Sequence, residues 1–148
     1  MTKEVLLTIK GLQFNSENGN DTIEVITKGE YYEKNGKRYI LYEEVMEGFE
    51  EKTRVTLKLG EGFLEVTKKG LTNVHMLFQE AKKSLTCYTT PFGEMLIGIQ
   101  ADKVEIKDTP GNIDIKVGYE LEVNYEHLAN CEIIIGIKPK DTKDFSIM

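Results

Sequence analysis

Arginine occurs only twice in the 148 residues, at Arg38 and Arg54. So few guanidinium groups leave few bidentate forks for phosphate or carboxylate. The 19 basic residues are interleaved with 25 acidic ones, for a net charge of −6. No field that would attract a phosphate backbone arises, so nucleic acid is not expected as a partner. Cysteine is also scarce. Cys87 and Cys131 are isolated, without a CxxC, and are expected as buried, reduced core thiols, not as a disulfide or redox pair. The two histidines, His75 and His127, stand in no HxH or HExxH spacing, and no metal site is expected. His75 reads as a strand residue beside the core and His127 as a turn residue. Serine is confined to Ser16, Ser84 and Ser146, none of them in GxSxG, and no Walker-type or dinucleotide-binding glycine loop occurs. Neither a catalytic motif nor a cofactor is therefore expected. Long hydrophobic runs are missing too. "CEIIIGI" is far short of the ~20 residues needed to cross a bilayer, and "MTKEVLLTIKG" carries charges where a signal segment would need none. A soluble cytoplasmic protein with no membrane partner is the expectation.

What the chain does have is alternation. Its 40% hydrophobic content suits one domain, over residues 1–140 with a C-terminal tail at 141–148, burying roughly 68–70% of the surface its unfolded chain exposes. "IDIKVGYELEVNY" alternates from Ile113 to Tyr125 with the apolar residues on one face, the mark of a long half-buried strand. Similar patterns run through "VLLTIKG", "TIEVITKGEYY", "RVTLKLG", "MLIGIQA" and "CEIIIGIK", separated by "NSENGN", "NG", "GEG", "KKG", "TPFG" and "DTPGN", which are turn chemistry. Pro91, Pro110 and Pro139 all fall at separators or near the tail. In "GLTNVHMLFQEAKKSL", Leu71, Val74, Phe78, Ala81 and Leu85 also fit a helix that Thr72 could cap. The neighbouring strands favour "VHMLFQ" as a strand. The pattern predicts an all-β fold, a single antiparallel up-and-down β-barrel of about 8–10 strands that closes to remove its edges.

Turn chemistry fixes register. A two-residue Asn35-Gly36 loop pairs Lys34 with Lys37 and each residue outward in step. Extended along both strands, this sets Thr27 opposite Glu44 and Tyr42 opposite Gly29. Tyr31, Tyr42 and Glu44 then share the apolar face, with Glu43 outside. A Glu61-Gly62 loop puts Leu64 and Val66 with Leu59 and Leu57. A Pro91-Phe92 loop pairs Tyr88 with Met95 and carries Tyr88 inward. Beyond Ala101 the apolar parity slips, as a bulge near Asp102-Lys103 would cause.

The residues "YEE" at 42–44, "MLF" at 76–78 and "YTTPFG" at 88–93, in this order and spacing, resemble the YwiB-like family of small uncharacterised bacterial proteins. The resemblance covers nearly the whole chain. It implies a calycin-like β-barrel, related in architecture to lipocalins and fatty-acid-binding proteins, and implies no activity. Ala81 stands where the family pattern places a glycine.

The inward polar set is Thr27, Tyr31, Tyr42, Glu44, Tyr88 and Tyr119. In a barrel wide enough to hold a cavity, amphipathic tyrosines and one acid would orient a small-molecule ligand. The same hydroxyls could instead bond to Glu44 and to one another in a satisfied network that only fixes register. With no arginine on its own face, Glu44 is expected to lack a cationic partner. Three classes follow in order: a small-molecule carrier or sensor; a protein-interaction or structural module with a filled barrel; and, last, an enzyme using Glu44 as acid or base. A homodimer remains open as an assembly.

Overall fold

Strands alternating in and out close on themselves when each turns back on its predecessor, and ten such strands run through the described residues. The computed structural model describes residues 3–11, 24–45, 48–109 and 111–139. The strands are β1 (Lys3–Lys10), β2 (Glu24–Lys34), β3 (Lys37–Glu44), β4 (Thr53–Gly60), β5 (Phe63–Gly70), β6 (Val74–Gln79), β7 (Lys83–Thr90), β8 (Gly93–Thr109), β9 (Asn112–Val123) and β10 (Glu126–Pro139). Every ladder is antiparallel, and β1 pairs with β10. The order β6-β5-β4-β3-β2-β1-β10-β9-β8-β7 leaves one seam, between β6 and β7. It is crossed by bridges from Asn73 to Thr89 and from Glu80 to Ala101 of β8. The result is a nearly closed up-and-down barrel. Residues 141–148 and the "NSENGN" turn lie outside the described residues.

Parity decides the core. Leu57, Leu59, Leu64, Val66, Met76 and Phe78 are fully buried on β4 to β6, and Ile97, Ile99, Ile115, Val117 and Tyr119 face them from β8 and β9. Phe78 meets Tyr119 edge-to-face with ring centroids 5.1 Å apart, so aromatic packing fills the middle of the barrel. "VHMLFQ" is the strand β6 because Val74, Met76 and Phe78 all reach this core at a spacing of two. The register shift between Ala101 and Lys103 is the expected bulge.

Local features correct three expectations. Alternation does not run on to Tyr125: β9 stops at Val123, and Asn124 and Tyr125 form a two-residue turn with φ of 51° and 70° before Glu126. His127 is therefore in the first turn-proximal residues of β10. Cys87 faces solvent, its parity opposite to that of Thr86 and Tyr88, while Cys131 is half-buried and both thiols are free. The β2–β3 ladder runs only from Lys34–Lys37 to Glu30–Leu41. Beyond Leu41, β3 follows β4 and β2 follows β1, so neither Thr27 with Glu44 nor Tyr42 with Gly29 forms a pair. A Cβ on Gly29 would come within 2.5 Å of Leu7 Cδ1 and 2.8 Å of the Leu41 oxygen. Only glycine fits where the two strands part.

The barrel has two unlike ends. The Asn35 end carries the turns at 35–36, 61–62 and 80–82, and the Glu44 end carries those at 71–73, 91–92 and 124–125 together with the segment after Glu44.

Candidate functional site

Three inward residues lie in one row across the sheet at the Glu44 end. Tyr42 is opposite Val55, and Val55 is opposite Lys68. One step further out, Glu44 is opposite Thr53. Lys68 is inside for the same reason as Leu64 and Val66, four and two residues before it, and its side chain is only 2% exposed. An ammonium there needs a counter-charge. Glu44, 15% exposed, supplies it through Lys68 Nζ donating to Glu44 Oε2 at 3.0 Å. Glu44 points inward as its parity requires, and Glu43 points out. Glu44 is nevertheless an ion-paired carboxylate. Its partner comes from β5, which continues through the "KKG" that turn chemistry marks as a separator; continuing the parity of Leu64 and Val66 by two more residues finds it.

The hydroxyls around this pair divide in function. The Tyr42 hydroxyl is buried and has no hydrogen-bond partner among the described residues. Burial first, and then the charge of Glu44, push its pKa well above the ordinary tyrosine value. Tyr88, half-buried on β7, is pushed up to about 12 by burial first and by the same carboxylate second. Both rings thus sense Glu44 from different strands. Thr53, beside Glu44, accepts the backbone N–H of Thr72 at 3.0 Å. This ties the β5–β6 turn to the start of β4. Asn73 bonds the backbone of Gly70 and bridges to Thr89 of β7, so the seam is fastened beside the site.

The remaining sequence-nominated residues lie elsewhere. Tyr119 is in the packed middle, opposite Cys131 of β10 and edge-on to Phe78. Tyr31 belongs to the Asn35 end and donates to Glu33 Oε1 at 2.8 Å. Thr27 is half-buried on β2 opposite Leu7, its hydroxyl 3.5 Å from the Lys28 carbonyl oxygen. The structure therefore brings Tyr42, Glu44 and Tyr88 to one end, adds Lys68, and leaves Tyr31 and Tyr119 out of reach. Among the described residues, no three His, Cys, Asp or Glu side chains gather as a metal site. No helix among them is long and apolar enough to cross a membrane.

The rim above this group is apolar. Phe92, in the β7–β8 turn, is 81% exposed, as expected of a residue at a barrel end. It meets Phe49, from the connection after β3, edge-on at 6.0 Å. β5 and β6 lie between the strands that carry them, so the contact spans part of the mouth. Tyr125 stands 73% exposed at the same end.

Among known proteins, the family described as "Domain of unknown function (DUF1934)" matches residues 7–135. The chain is 26% identical over 136 residues to the "Uncharacterized beta-barrel protein YwiB" of Bacillus subtilis (strain 168), covering 90% of this chain and 94% of that protein. It is similar in structure to the "Crystal structure of ywiB protein from Bacillus subtilis", with a TM-score of 0.79 at 20% identity, over 95% of this chain and 94% of that one.

Proposed function

The chain belongs to this DUF1934 family of unknown function, and on that premise we propose that it binds a small molecule inside the barrel, at the end where Tyr42, Glu44, Lys68 and Tyr88 meet. One observation carries the reading: among the described residues a buried hydroxyl, that of Tyr42, has no partner beside a buried ion pair. A buried polar group left unbonded costs about 1–3 kcal/mol. A ligand that bonds it recovers that cost, whereas a purely structural network would have consumed it internally. The up-and-down barrel, which is the architecture the calycin resemblance implies, supports a carrier or sensor, and the acidic composition fits a setting in the cytoplasm. Thr27, half-buried toward the same end, would be a fifth residue only if the ligand extends toward β2. Tyr31 is better explained by its bond to Glu33, and Tyr119 by its packing on Phe78 and beside Cys131.

A second reading has its own support. The edge-to-face packing of Phe78 on Tyr119 fills the middle of the barrel, as a structural or protein-interaction module would. Native mass spectrometry of protein purified from its own host separates the two. A retained small molecule, lost in Tyr42→Phe, supports binding. A bare mass that no small-molecule extract shifts supports the filled module.

A further inference from the structure

We propose, building on the binding reading above, that the Glu44 end of the barrel takes a neutral amphiphile headed by a carbonyl oxygen, such as an amide or ester, and discriminates against a carboxylate.

The argument begins with a count of hydrogen-bonding groups. A lysine ammonium has three N–H donors. Among the described residues, Lys68 Nζ bonds only Glu44. The Tyr42 hydroxyl, two strands away in the same inward row with Val55 between, bonds none of the described residues. Glu44 keeps a second oxygen, but it does not reach the Tyr42 hydroxyl, so among the described residues this hydroxyl and two of the Lys68 N–H groups stand without an acceptor. An sp² oxygen with two lone pairs satisfies an N–H from Lys68 and the O–H of Tyr42 together.

Charge then decides between acceptor classes. Lys68 is already neutralised by Glu44 at 3.0 Å. A carboxylate head would add a second negative charge beside Glu44, in a place from which Lys68 is almost wholly shielded from water. Like charges brought together under burial are strongly disfavoured. A neutral carbonyl accepts the same hydrogen bonds without that penalty. A cation would find Glu44, but it would face the Lys68 ammonium and leave the Tyr42 donor unused.

Shape supplies the rest of the class. Glu44 and Tyr88 are the members of the group that reach solvent, and the barrel end where they stand carries the Phe49–Phe92 contact. An apolar body extending outward from the carbonyl would lie against these rings.

The test uses three eight-carbon probes, octanamide, octanoate and octylammonium, titrated calorimetrically into the full chain after extraction of any retained molecule. Octanamide is expected to bind tightest, by about tenfold over octanoate, the equivalent of one good hydrogen bond with its charge context. Tyr42→Phe should weaken octanamide by about tenfold without lowering the melting temperature, since the deleted hydroxyl has no partner in the free protein. Phe92→Ala should weaken all three probes alike. Octanoate binding as tightly as octanamide, or octylammonium binding tightest, would overturn the ligand class while the small-molecule reading stands. Octanamide binding that Tyr42→Phe leaves unchanged would also overturn it. Failure of all three probes, with a bare native mass, would overturn both.

Discussion

At the Asn35 end Arg38 of β3 donates to Asp108 of β8 at 2.6 Å, with the aspartate 64% exposed; at the Glu44 end Lys68 donates to Glu44 with both side chains largely out of water. The first pair sits beside an open cleft of ≈ 320 Å³ lined by Arg38, Gly60, Glu61, Gly62, Val104 and Ile106. It ties opposite walls of the barrel together while water screens it. The second pair is shielded, lies under an aromatic rim and leaves donors unused. The same type of ion pair can therefore latch a fold across water in one place and stand buried beside an unpartnered hydroxyl in another. Burial decides which, because it sets both the cost of breaking the pair and the worth of any further hydrogen bond made there.

The sharpest way to break this comparison is to remove one acid at each end. Glu44→Gln leaves Lys68 buried without a counter-charge, and such losses cost about 3–5 kcal/mol; the partial exposure of Glu44 puts the expectation at about 3 kcal/mol. Asp108→Asn should cost less than about 1 kcal/mol, as exposed pairs do. Urea unfolding of the two variants checks both. Replacing the buried pair as a unit, with Glu44→Leu and Lys68→Met, should recover most of the loss. Equal effects at the two ends would mean that the Lys68–Glu44 pair is as well hydrated as the exposed one.

Much of this molecule is legible from its amino-acid pattern, and the parts that are not share a cause. Register is legible where a turn has a strong signature: Asn35-Gly36 pairs Lys34 with Lys37, Glu61-Gly62 sets Leu59 opposite Leu64, and Pro91-Phe92 sets Tyr88 opposite Met95. Inward Tyr42 and Glu44 follow from it. Lys68 is missed because lysines before a glycine look like a turn, although the period-two pattern continues through them. Tyr125 is missed because alternation cannot distinguish a strand residue from the second residue of a tight turn when the turn lacks glycine. The divergence of β2 from β3 past Leu41 has no local signal; it arises because each strand must also satisfy its other neighbour. No pattern of single residues reveals that the Tyr42 hydroxyl is left without a partner.

Alkali should separate the ends next. Tyr31 is pushed up to about 12 by partial burial and then by its bond to Glu33, whereas burial and Glu44 drive Tyr42 further up. Tyrosine in the unfolded chain ionises near ~10. Above that pH the unfolded state releases protons that the folded state retains, so the folded state binds more and stability falls as pH rises. The stability is fully present below pH ~10 and is lost through the window above it. Unfolding free energies measured from pH 9 to pH 12 should fall less steeply in Tyr42→Phe than in wild type. Tyr31→Phe should flatten the curve less. Equal flattening would show that Tyr42 is as accessible to solvent as Tyr31.

Smaller effects come from two residues held in left-handed backbone. Ala81, between β6 and β7, has φ of 65° and donates its N–H to the Ala101 oxygen at 3.1 Å; Tyr125 has φ of 70°. Side chains other than glycine are strained there by roughly 1–2 kcal/mol, partly offset by glycine's larger unfolded-state entropy. Ala81→Gly and Tyr125→Gly should each gain about 0.5–1 kcal/mol. The left-handed φ accounts physically for the glycine that the YwiB-like resemblance places at Ala81. Binding should distinguish the two gains: Ala81→Gly, remote from the Glu44 end, should leave octanamide affinity unchanged, while Tyr125→Gly strips an exposed ring from the rim and should weaken it.

The smallest expected change in stability is at Phe92, and it bears most directly on what the rim is for. Phe92 is 81% exposed and its ring touches Phe49 at 6.0 Å. Phe92→Ala removes no buried core volume, so the loss should stay near ~0.5 kcal/mol, the low end for an aromatic pair, and the melting temperature should move by only a few degrees. A loss near the ~3–5 kcal/mol of buried aromatics would mean that the ring is a structural plug closing the mouth. If the ring instead serves the apolar body of a ligand, its deletion should be nearly silent in the free protein and visible in binding. The contact that matters would then form only when the ligand is present. Calorimetric titration beside the thermal melt resolves this: unchanged melting with weaker octanamide binding assigns the rim to recognition. Unchanged melting with unchanged binding would leave Lys68, Glu44 and Tyr42 to act without it, and the ligand's apolar part would have to lie elsewhere along the β3–β5 wall.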